Sequence, residues 1–215
     1  MTVAQTLGEA LRFHRIVPEA EVESEIRRLL SLVGLRPEMA HRAPKAMSGG
    51  QNQRVGLARA MSVRPEMLVL DESVSALDVS IQAQVLNLLA ELRASHGLTM
   101  IFIAHELSVV RHISHRVAVM YLGRIVETGT TDEIFDHPRH PYTQSLLAAV
   151  PRFGTAKRQR KAALQGDVPS PYAIPKGCRF QTRCPVVKDI CRSTVPPSIS
   201  LSPTQRVECH VAAGS

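Results

Sequence analysis

The sequence predicts an α/β fold in which helices flank a parallel sheet, and three observations lead to this prediction. Two short, wholly apolar runs, Met67–Leu70 and Met100–Ile103, have the length and composition of buried parallel strands. Between them, Val79–Arg93 carries apolar residues at helical spacing, with Asp78 before it and Gly97 after it. Strand, helix and strand in this order form a right-handed crossover, the repeating unit of parallel sheets.

Two further helices are expected before the first strand. Residues 19 to 33 place apolar side chains at helical spacing, and Gly34 follows as a stop signal. The segment Ser48–Met61 predicts the next helix, because Ser48 and Gln51 have the spacing of a capping box.

After the crossover, Val117–Leu122 predicts a third strand that turns through Gly123 and Arg124 into a hairpin. A helix is expected from Tyr142 to Val150, and the chain then becomes basic and rich in Pro. The expected organisation is a globular part over residues 1–150, a linker over 151–175 and a cysteine-bearing tail over 176–215.

The composition limits the classes of function. The formal net charge of +7 favours acidic partners without choosing among nucleotides, nucleic acid and anionic membranes. Aromatic residues make up 4% of the chain and Trp is absent, so base-stacking platforms for single-stranded nucleic acid are not expected. No apolar run reaches the length of a membrane span, and the first ten residues lack a secretion pattern. We therefore expect a cytoplasmic protein, in which cysteines are ligands or free thiols.

Two polar motifs point to nucleotide chemistry. Gly49 and Gly50, following Ser48 at a helix start, would leave backbone N–H groups open to a phosphate. On its own the motif is also an ordinary capping box. At the end of the first strand, Asp71 and Glu72 bring two carboxylates to the sheet edge where ligands bind in α/β proteins. Such a pair suits Mg²⁺-dependent phosphoryl transfer, one for the metal and one for the attacking water.

Taken together, these motifs resemble the ATP-binding cassette (ABC) transporter ATPases. The order and spacing match that family's signature motif at 47–51, Walker B strand at 67–72, D-loop at 75–78 and switch histidine His105 within 103–106. The segments 137–143 and 169–171, with the cysteine tail, resemble the oligopeptide and dipeptide importer branch. The resemblance implies the C-terminal portion of an ABC-type P-loop NTPase. Residues 1–46 would be a remnant of the helical subdomain, 47–122 the core, and 123–150 the C-terminal hairpin and helices.

The resemblance also implies roles for single residues. Asp71 would hold Mg²⁺, Glu72 would polarise the attacking water as general base, and His105 would contact the γ-phosphate. ATP would be bound across a dimer interface by the partner-facing residues Ser48, Gly49, Gly50, Gln51 and Asp78. From its position alone, Asp78 could equally be the N-cap of the following helix, and both roles are compatible.

Two departures from the family pattern stand out. Ser73 replaces the Pro that normally follows the catalytic Glu, which should have a mild effect because Ser tolerates turns. No G-x-x-x-x-G-K-[ST] motif occurs in the sequence. The family's phosphate loop and glutamine loop would lie before Met1, and a chain truncated in this way is expected to be inactive alone or to supply its signature motif in trans.

The four cysteines, Cys178, Cys184, Cys191 and Cys209, have spacings that match neither common zinc sites nor ferredoxin motifs. Spacing alone leaves a metal site and unliganded thiols equally open. The resemblance to peptide-importer ATPases implies that these residues ligate a [4Fe–4S] cluster, with zinc as the alternative.

The implied partners are a second ATPase subunit in a homo- or heterodimer, transmembrane permease subunits at the cytoplasmic face of the membrane and, indirectly, an extracytoplasmic solute-binding protein. No nucleic acid is expected. Two other interpretations stay open: a chromosome-maintenance or DNA-repair ATPase fragment, although no heptad arm precedes Met47, and a non-catalytic metal-binding or interaction module that retains only the tail.

Overall fold

A computed structural model describes residues 1–75, 77–149, 169–170 and 172–212 of the chain. The contacts divide the chain into two compact units, Met1–Glu106 and Leu107–Ser215. Most of the linker expected at 151–175 lies outside the described residues, as does Ala76 of the expected D-loop.

The described part of the first unit contains the helices and strands that the sequence predicts between residues 19 and 103, and one helix before them. In chain order these are α1 (Val3–Phe13), α2 (Val22–Leu32), α3 (Gly49–Met61), β1 (Met67–Asp71), α4 (Val79–His96) and β2 (Thr99–Ile103). Short 3₁₀ turns at 19–21, 37–41 and 44–46 connect the early helices.

Local sequence explains where these helices begin and end. A capping box of Thr2 and Gln5 opens α1, and one of Ser48 and Gln51 opens α3, as predicted. Helix α4 ends at Gly97, whose φ of 64° lies in the left-handed region that a residue without Cβ adopts easily.

Strands β1 and β2 pair in parallel, with Leu68 opposite Met100 and Asp71 opposite Ile103. Helix α4 connects them, so the predicted strand, helix and strand are confirmed. Because the strands are parallel, both carboxyl ends, and the loops that follow them, lie at one edge of this sheet.

The prediction that these strands are fully buried is wrong for one face of the sheet. Met67, Val69, Ile101 and Ile103 share that face and are between 47% and 63% exposed. The opposite face, with Leu68 5% exposed, is buried or half-buried. The apolar runs indicated cover on both faces, but in the described chain only one face of the two-stranded sheet is covered.

The second unit combines short helices with an antiparallel sheet. Its described elements are α5 (Leu107–Ile113), β3 (Arg116–Tyr121), β4 (Arg124–Thr130), α6 (Thr131–Asp136), α7 (Pro141–Ala149), α8 (Asp189–Ser193), β5 (Ser198–Ser200) and β6 (Arg206–Glu208). The sheet order is β3-β4-β6-β5, so the predicted hairpin of β3 and β4 is confirmed and the tail extends it by two strands.

A buried carboxylate connects the hairpin to the tail. Glu127 of β4 is 1% exposed and accepts hydrogen bonds from the backbone N–H groups of Arg139 (2.7 Å) and His140 (3.0 Å) and from the Gln205 side chain (3.1 Å). Phe180 of the tail is buried against Tyr121 and other core residues of this unit. The tail is thus an integral part of the second unit's fold.

Among the described helices, none has both the length and the apolar character needed to cross a membrane.

Candidate functional site

The loops after β1 and β2 bring two of the predicted catalytic residues together. The His105 Nδ1 atom lies 3.3 Å from Glu72 Oε1. Both side chains are open to solvent, His105 being 70% and Glu72 59% exposed. A carboxylate and an imidazole at this distance, at the carboxyl edge of a parallel sheet, can act together on a ligand that approaches from solvent.

The backbone holds Glu72 in an unusual conformation. Its φ of 46° lies in the left-handed region, which is costly for a residue with a side chain. Three hydrogen bonds hold it there: Glu72 N–H donates to Ile103 O (3.0 Å), and Glu72 O accepts from the backbone N–H (3.2 Å) and the hydroxyl (2.9 Å) of Ser75. The buried Ser73 hydroxyl has no hydrogen-bond partner among the described groups, so Ser at this position adds no bond to the turn.

Asp71 ends β1 with an exposed carboxylate on the open face of the sheet. Within the described ranges, no group of three or more His, Cys, Asp or Glu side chains is arranged to hold a metal ion. Mg²⁺ in phosphoryl-transfer sites needs only one or two carboxylates, because water and substrate phosphates complete its coordination. Asp71 therefore fits a Mg²⁺ ion that arrives with a nucleotide.

The start of α3 presents its polar groups largely as predicted. The hydroxyl of Ser48 accepts a hydrogen bond from Gln51 N–H (3.3 Å), and the Gln51 side chain accepts one from Ser48 N–H (3.1 Å). Gly49 is exposed, which leaves its N–H group open to a ligand. The capping role and the phosphate-binding role are compatible, because the Ser48 hydroxyl can still donate its own hydrogen.

Gly50 differs from the prediction because it is buried. A Cβ atom at this position would lie 2.4 Å from Cγ2 of Ile81, at the start of α4. Gly50 therefore permits close packing of α3 on α4, a role that the sequence motif did not reveal. A Cβ atom at Gly49 would have Leu77 Cδ2 as its nearest neighbour, at an ordinary contact distance of 3.5 Å.

Asp78 occupies the N-cap position of α4, but its side chain makes no capping hydrogen bond. Its backbone C=O accepts from Gln82 N–H at 2.8 Å. The side chain of Gln82, which belongs to none of the sequence motifs, is buried and donates to Glu106 Oε2 at 2.7 Å. This bond joins the helix after the expected D-loop to the residue that follows His105.

The four cysteines lie in the second unit as free thiols. Cys178 N–H donates to Cys191 O at 2.8 Å. Burial, with a smaller contribution from the other cysteines of the group, raises the pKa of Cys178 and raises that of Cys184 to about 11. Among the described residues, no group of three or more His, Cys, Asp or Glu side chains is arranged to hold a metal ion, so the predicted iron–sulfur cluster, or zinc ion, is not supported by this geometry.

Comparison with protein families gives two matches. Residues 1–75 match the ABC transporter family, and residues 126–191 match the family described as oligopeptide/dipeptide transporter, C-terminal region. The first match begins at residue 1, so the predicted truncation is not confirmed by it.

Several curated proteins are similar along nearly the whole chain. A probable peptide ABC transporter ATP-binding protein of Sinorhizobium fredii, y4tS, is 47% identical over 99% of the chain and 60% of its own length. The oligopeptide transport ATP-binding protein AppF of Bacillus subtilis is 48% identical over 98% of the chain and 64% of its own length. OppF of Escherichia coli, with the same description, is 48% identical over 91% of the chain. The chain thus spans somewhat less than two thirds of these relatives.

Solved structures share the fold. CbiO1 of Clostridium perfringens, part of the ABC transporter complex cbiONQ, aligns with a TM-score of 0.56 and 27% identity over 63% of this chain and 53% of its own. MJ1267, an ATP-binding cassette of an ABC transporter, aligns with a TM-score of 0.56 and 22% identity over 70% of this chain and 63% of its own.

Proposed function

We propose that this chain belongs to the ATP-binding proteins of ABC transporters, whose family model matches residues 1–75, and that it couples ATP hydrolysis to the import of peptides or similar small solutes. The observation that carries the proposal is the 3.3 Å contact between Glu72 and His105 at the sheet edge where Asp71 also ends. The names of the relatives, which refer to peptide and oligopeptide transport, support the solute class.

In this proposal Glu72 is the general base and accepts a proton from the water that attacks the γ-phosphate. His105 contacts the γ-phosphate and orients it relative to Glu72. Asp71 would hold Mg²⁺, which supplies charge neutralisation on the phosphates when bound. The left-handed backbone at Glu72 fixes the carboxylate at the loop between β1 and α4, where it faces both solvent and the histidine.

The start of α3 acts on a second nucleotide in the proposed arrangement. The exposed N–H of Gly49, the hydroxyl of Ser48 and the positive end of the helix dipole form a phosphate contact that a partner ATPase subunit would use. The carboxylate of Asp78, which makes no capping hydrogen bond to α4, is available for the same interface. This chain would therefore complete the partner's site in a homo- or heterodimer, with Gln51 securing the helix end.

A fused protein tests this proposal. We join the part of AppF that the chain does not match to Met1, and measure phosphate release by the fused protein and by the 215-residue chain. The fused protein should hydrolyse ATP at a rate of about 1–100 per second, while the chain, which has no G-x-x-x-x-G-K-[ST] motif, should show little turnover. Equal turnover by the chain alone would refute the assignment of roles.

We also propose that the first unit binds transmembrane permease subunits at the cytoplasmic face of the membrane, and through them communicates with a solute-binding protein. A groove of about 530 Å³ lies between α1 and α3, beside the exposed ring of Phe13. Its lining includes Glu9, Ala10, Phe13, His14, Arg59 and Val63. Helix α2 and the turn at 37–41 pack on α1, so we expect the segment 19–46 to contribute to the docking surface by supporting this groove.

A pull-down with the permease pair tests the docking surface. Phe13→Asp places a charge in the groove, where the Phe13 side chain is 81% exposed, so permease recovery should fall about tenfold or more while the fold persists. Tyr172→Asp is the matched control, because Tyr172 is also an exposed aromatic residue but belongs to the second unit. Equal recovery of both variants would show that the groove is not the docking surface.

A further inference from the structure

One side-chain hydrogen bond of the first unit connects two loops at the proposed site. Gln82, in the first turn of α4, is 7% exposed, and its Nε2 donates to Glu106 Oε2 at 2.7 Å. Its backbone N–H donates to Asp78 O at 2.8 Å. Because Glu106 directly follows His105, a single residue joins the helix start at Asp78 to the histidine loop.

The bond is of a strong kind. An amide that donates to a carboxylate forms a charge-assisted hydrogen bond, and the distance of 2.7 Å lies at the short end for such pairs. The Gln82 side chain is buried, so loss of Glu106 as acceptor would leave a buried amide without its partner. The bond between Gln82 and Glu106 therefore restricts the backbone at the start of α4 and in the loop after β2.

The histidine itself has little else to hold it. Its ring is largely exposed, and within the described part of the chain its only hydrogen-bonded side chain is Glu72, at 3.3 Å. The position of the ring therefore depends on the backbone between Ile103 and Glu106. Ile103 is fixed by strand pairing and by accepting from Glu72 N–H, and Glu106 is fixed by Gln82.

We propose that Gln82 is a positioning residue for His105: by holding Glu106 it keeps the imidazole within reach of Glu72, and it transmits a displacement of Asp78 to the histidine. The inference rests on the proposed function, in which Asp78 faces a partner subunit and His105 contacts the nucleotide. It adds a route by which arrival of the partner at Asp78 sets the geometry of the catalytic pair within the same chain.

Reversal of the bond's polarity gives a direct test on the 215-residue chain. Gln82→Glu places two carboxylates opposite each other, which should speed amide hydrogen exchange at residues 103–107 about tenfold or more and shift the NMR signals of the His105 ring. Glu106→Gln keeps a donor and an acceptor and should change both readouts little. The double variant Gln82→Glu/Glu106→Gln restores one amide and one carboxylate in reversed order, and should recover the unchanged exchange rates and ring signals. Asn87→Asp, the same chemical change at an exposed site of α4, is the matched control.

Two results would overturn the proposal. The first is unchanged exchange and ring signals in Gln82→Glu, and the second is a double variant that stays as perturbed as Gln82→Glu. Neither readout requires ATP, so the inference can fail while the proposed function stands. Phosphate release by the fused protein then separates the two: Gln82→Glu should lower kcat about tenfold with KM changed less than twofold, whereas absence of ATPase activity in the unchanged fused protein would count against the proposed function alone.

Discussion

At the scale of single residues, the proposed site contains a strained backbone conformation at Glu72 and a buried polar side chain at Gln82. Glu72 adopts a left-handed backbone beside its partner His105, a conformation that costs about 1–2 kcal/mol for a residue with a Cβ. The sequence motif predicts this carboxylate as a site residue but not its conformation, because φ at this position depends on hydrogen bonds to Ile103 and Ser75. Gln82 was missed altogether, since a lone Gln in a helix carries no motif.

A buried histidine should make the second unit sensitive to pH. His140 is 1% exposed, and burial lowers its pKa from 6.5 to about 4, while its Nδ1 accepts from Tyr142 N–H at 3.0 Å. Since the unfolded chain binds the proton more readily, stability is full above pH 6.5 and is lost as the pH falls toward 4, by on the order of 3 kcal/mol. Urea unfolding between pH 7 and 4 measures this slope.

The matched variant is His140→Asn, which keeps an acceptor for Tyr142 N–H but does not titrate. Its slope between pH 6.5 and 4 should be shallower than that of the unchanged chain by the contribution of one histidine. The carboxylate of Glu133, whose pKa is lowered from 4.5 to about 2 by hydrogen bonds from Thr130, Ser202 and Thr204, contributes equally to both slopes and cancels in the comparison. Identical slopes for the two proteins would mean that His140 does not carry the effect.

At the scale of elements, apolar periodicity and capping residues predicted the helices and strands that depend on local sequence. Strand pairing between distant segments was not predicted. The helices from α2 to α4, both parallel strands and the hairpin follow from apolar spacing, the Ser48 capping box and Gly signals. Strands β5 and β6 were not predicted, because each has three residues and only one apolar side chain, Ile199 or Val207. Their formation depends on β4, about 80 residues earlier in the chain, which no local pattern encodes.

The packing of α3 on α4 leads to a second prediction. Gly50→Ala puts a methyl group 2.4 Å from Ile81 Cγ2, so it should destabilise the first unit by about 1–3 kcal/mol. Gly49→Ala, with its nearest contact at 3.5 Å, should change the free energy of unfolding little. Ile81→Ala in the Gly50→Ala background removes the opposing methyl group and should recover part of the loss. Urea unfolding of the four proteins measures these differences, and equal stability of the two alanine variants would contradict the packing role of Gly50.

At the scale of the whole molecule, each of the two units has its own sheet, and the sequence predicted only the parallel one in full. Apolar runs indicate that a strand is buried but not how many neighbours cover it, so the runs alone do not predict the open face of β1 and β2. The cysteine spacing likewise could not decide between a metal centre and free thiols, since ligand geometry is a property of the folded tail.

The open sheet face should behave as an apolar surface. Val69 and Ile101 face each other across the strands, and their replacement by Thr should reduce binding of a hydrophobic dye to the 215-residue chain severalfold. Both side chains are about half exposed, so the free energy of unfolding should change by less than about 1 kcal/mol. Leu68→Thr, on the covered face, should instead cost about 2 kcal/mol or more. Unchanged dye binding in the double variant would show that this face is covered in solution.

The central claim is that Glu72, paired with His105, activates the attacking water of an ABC ATPase. The most direct measurement compares the fused protein with its Glu72→Gln variant for both nucleotide binding and phosphate release. Gln keeps the size of the side chain but removes the base, while Asp71 remains for the metal. The account predicts ATP affinity within about threefold of the unchanged protein and hydrolysis reduced by a factor of about 10² to 10⁴. Hydrolysis at the unchanged rate in Glu72→Gln would contradict it.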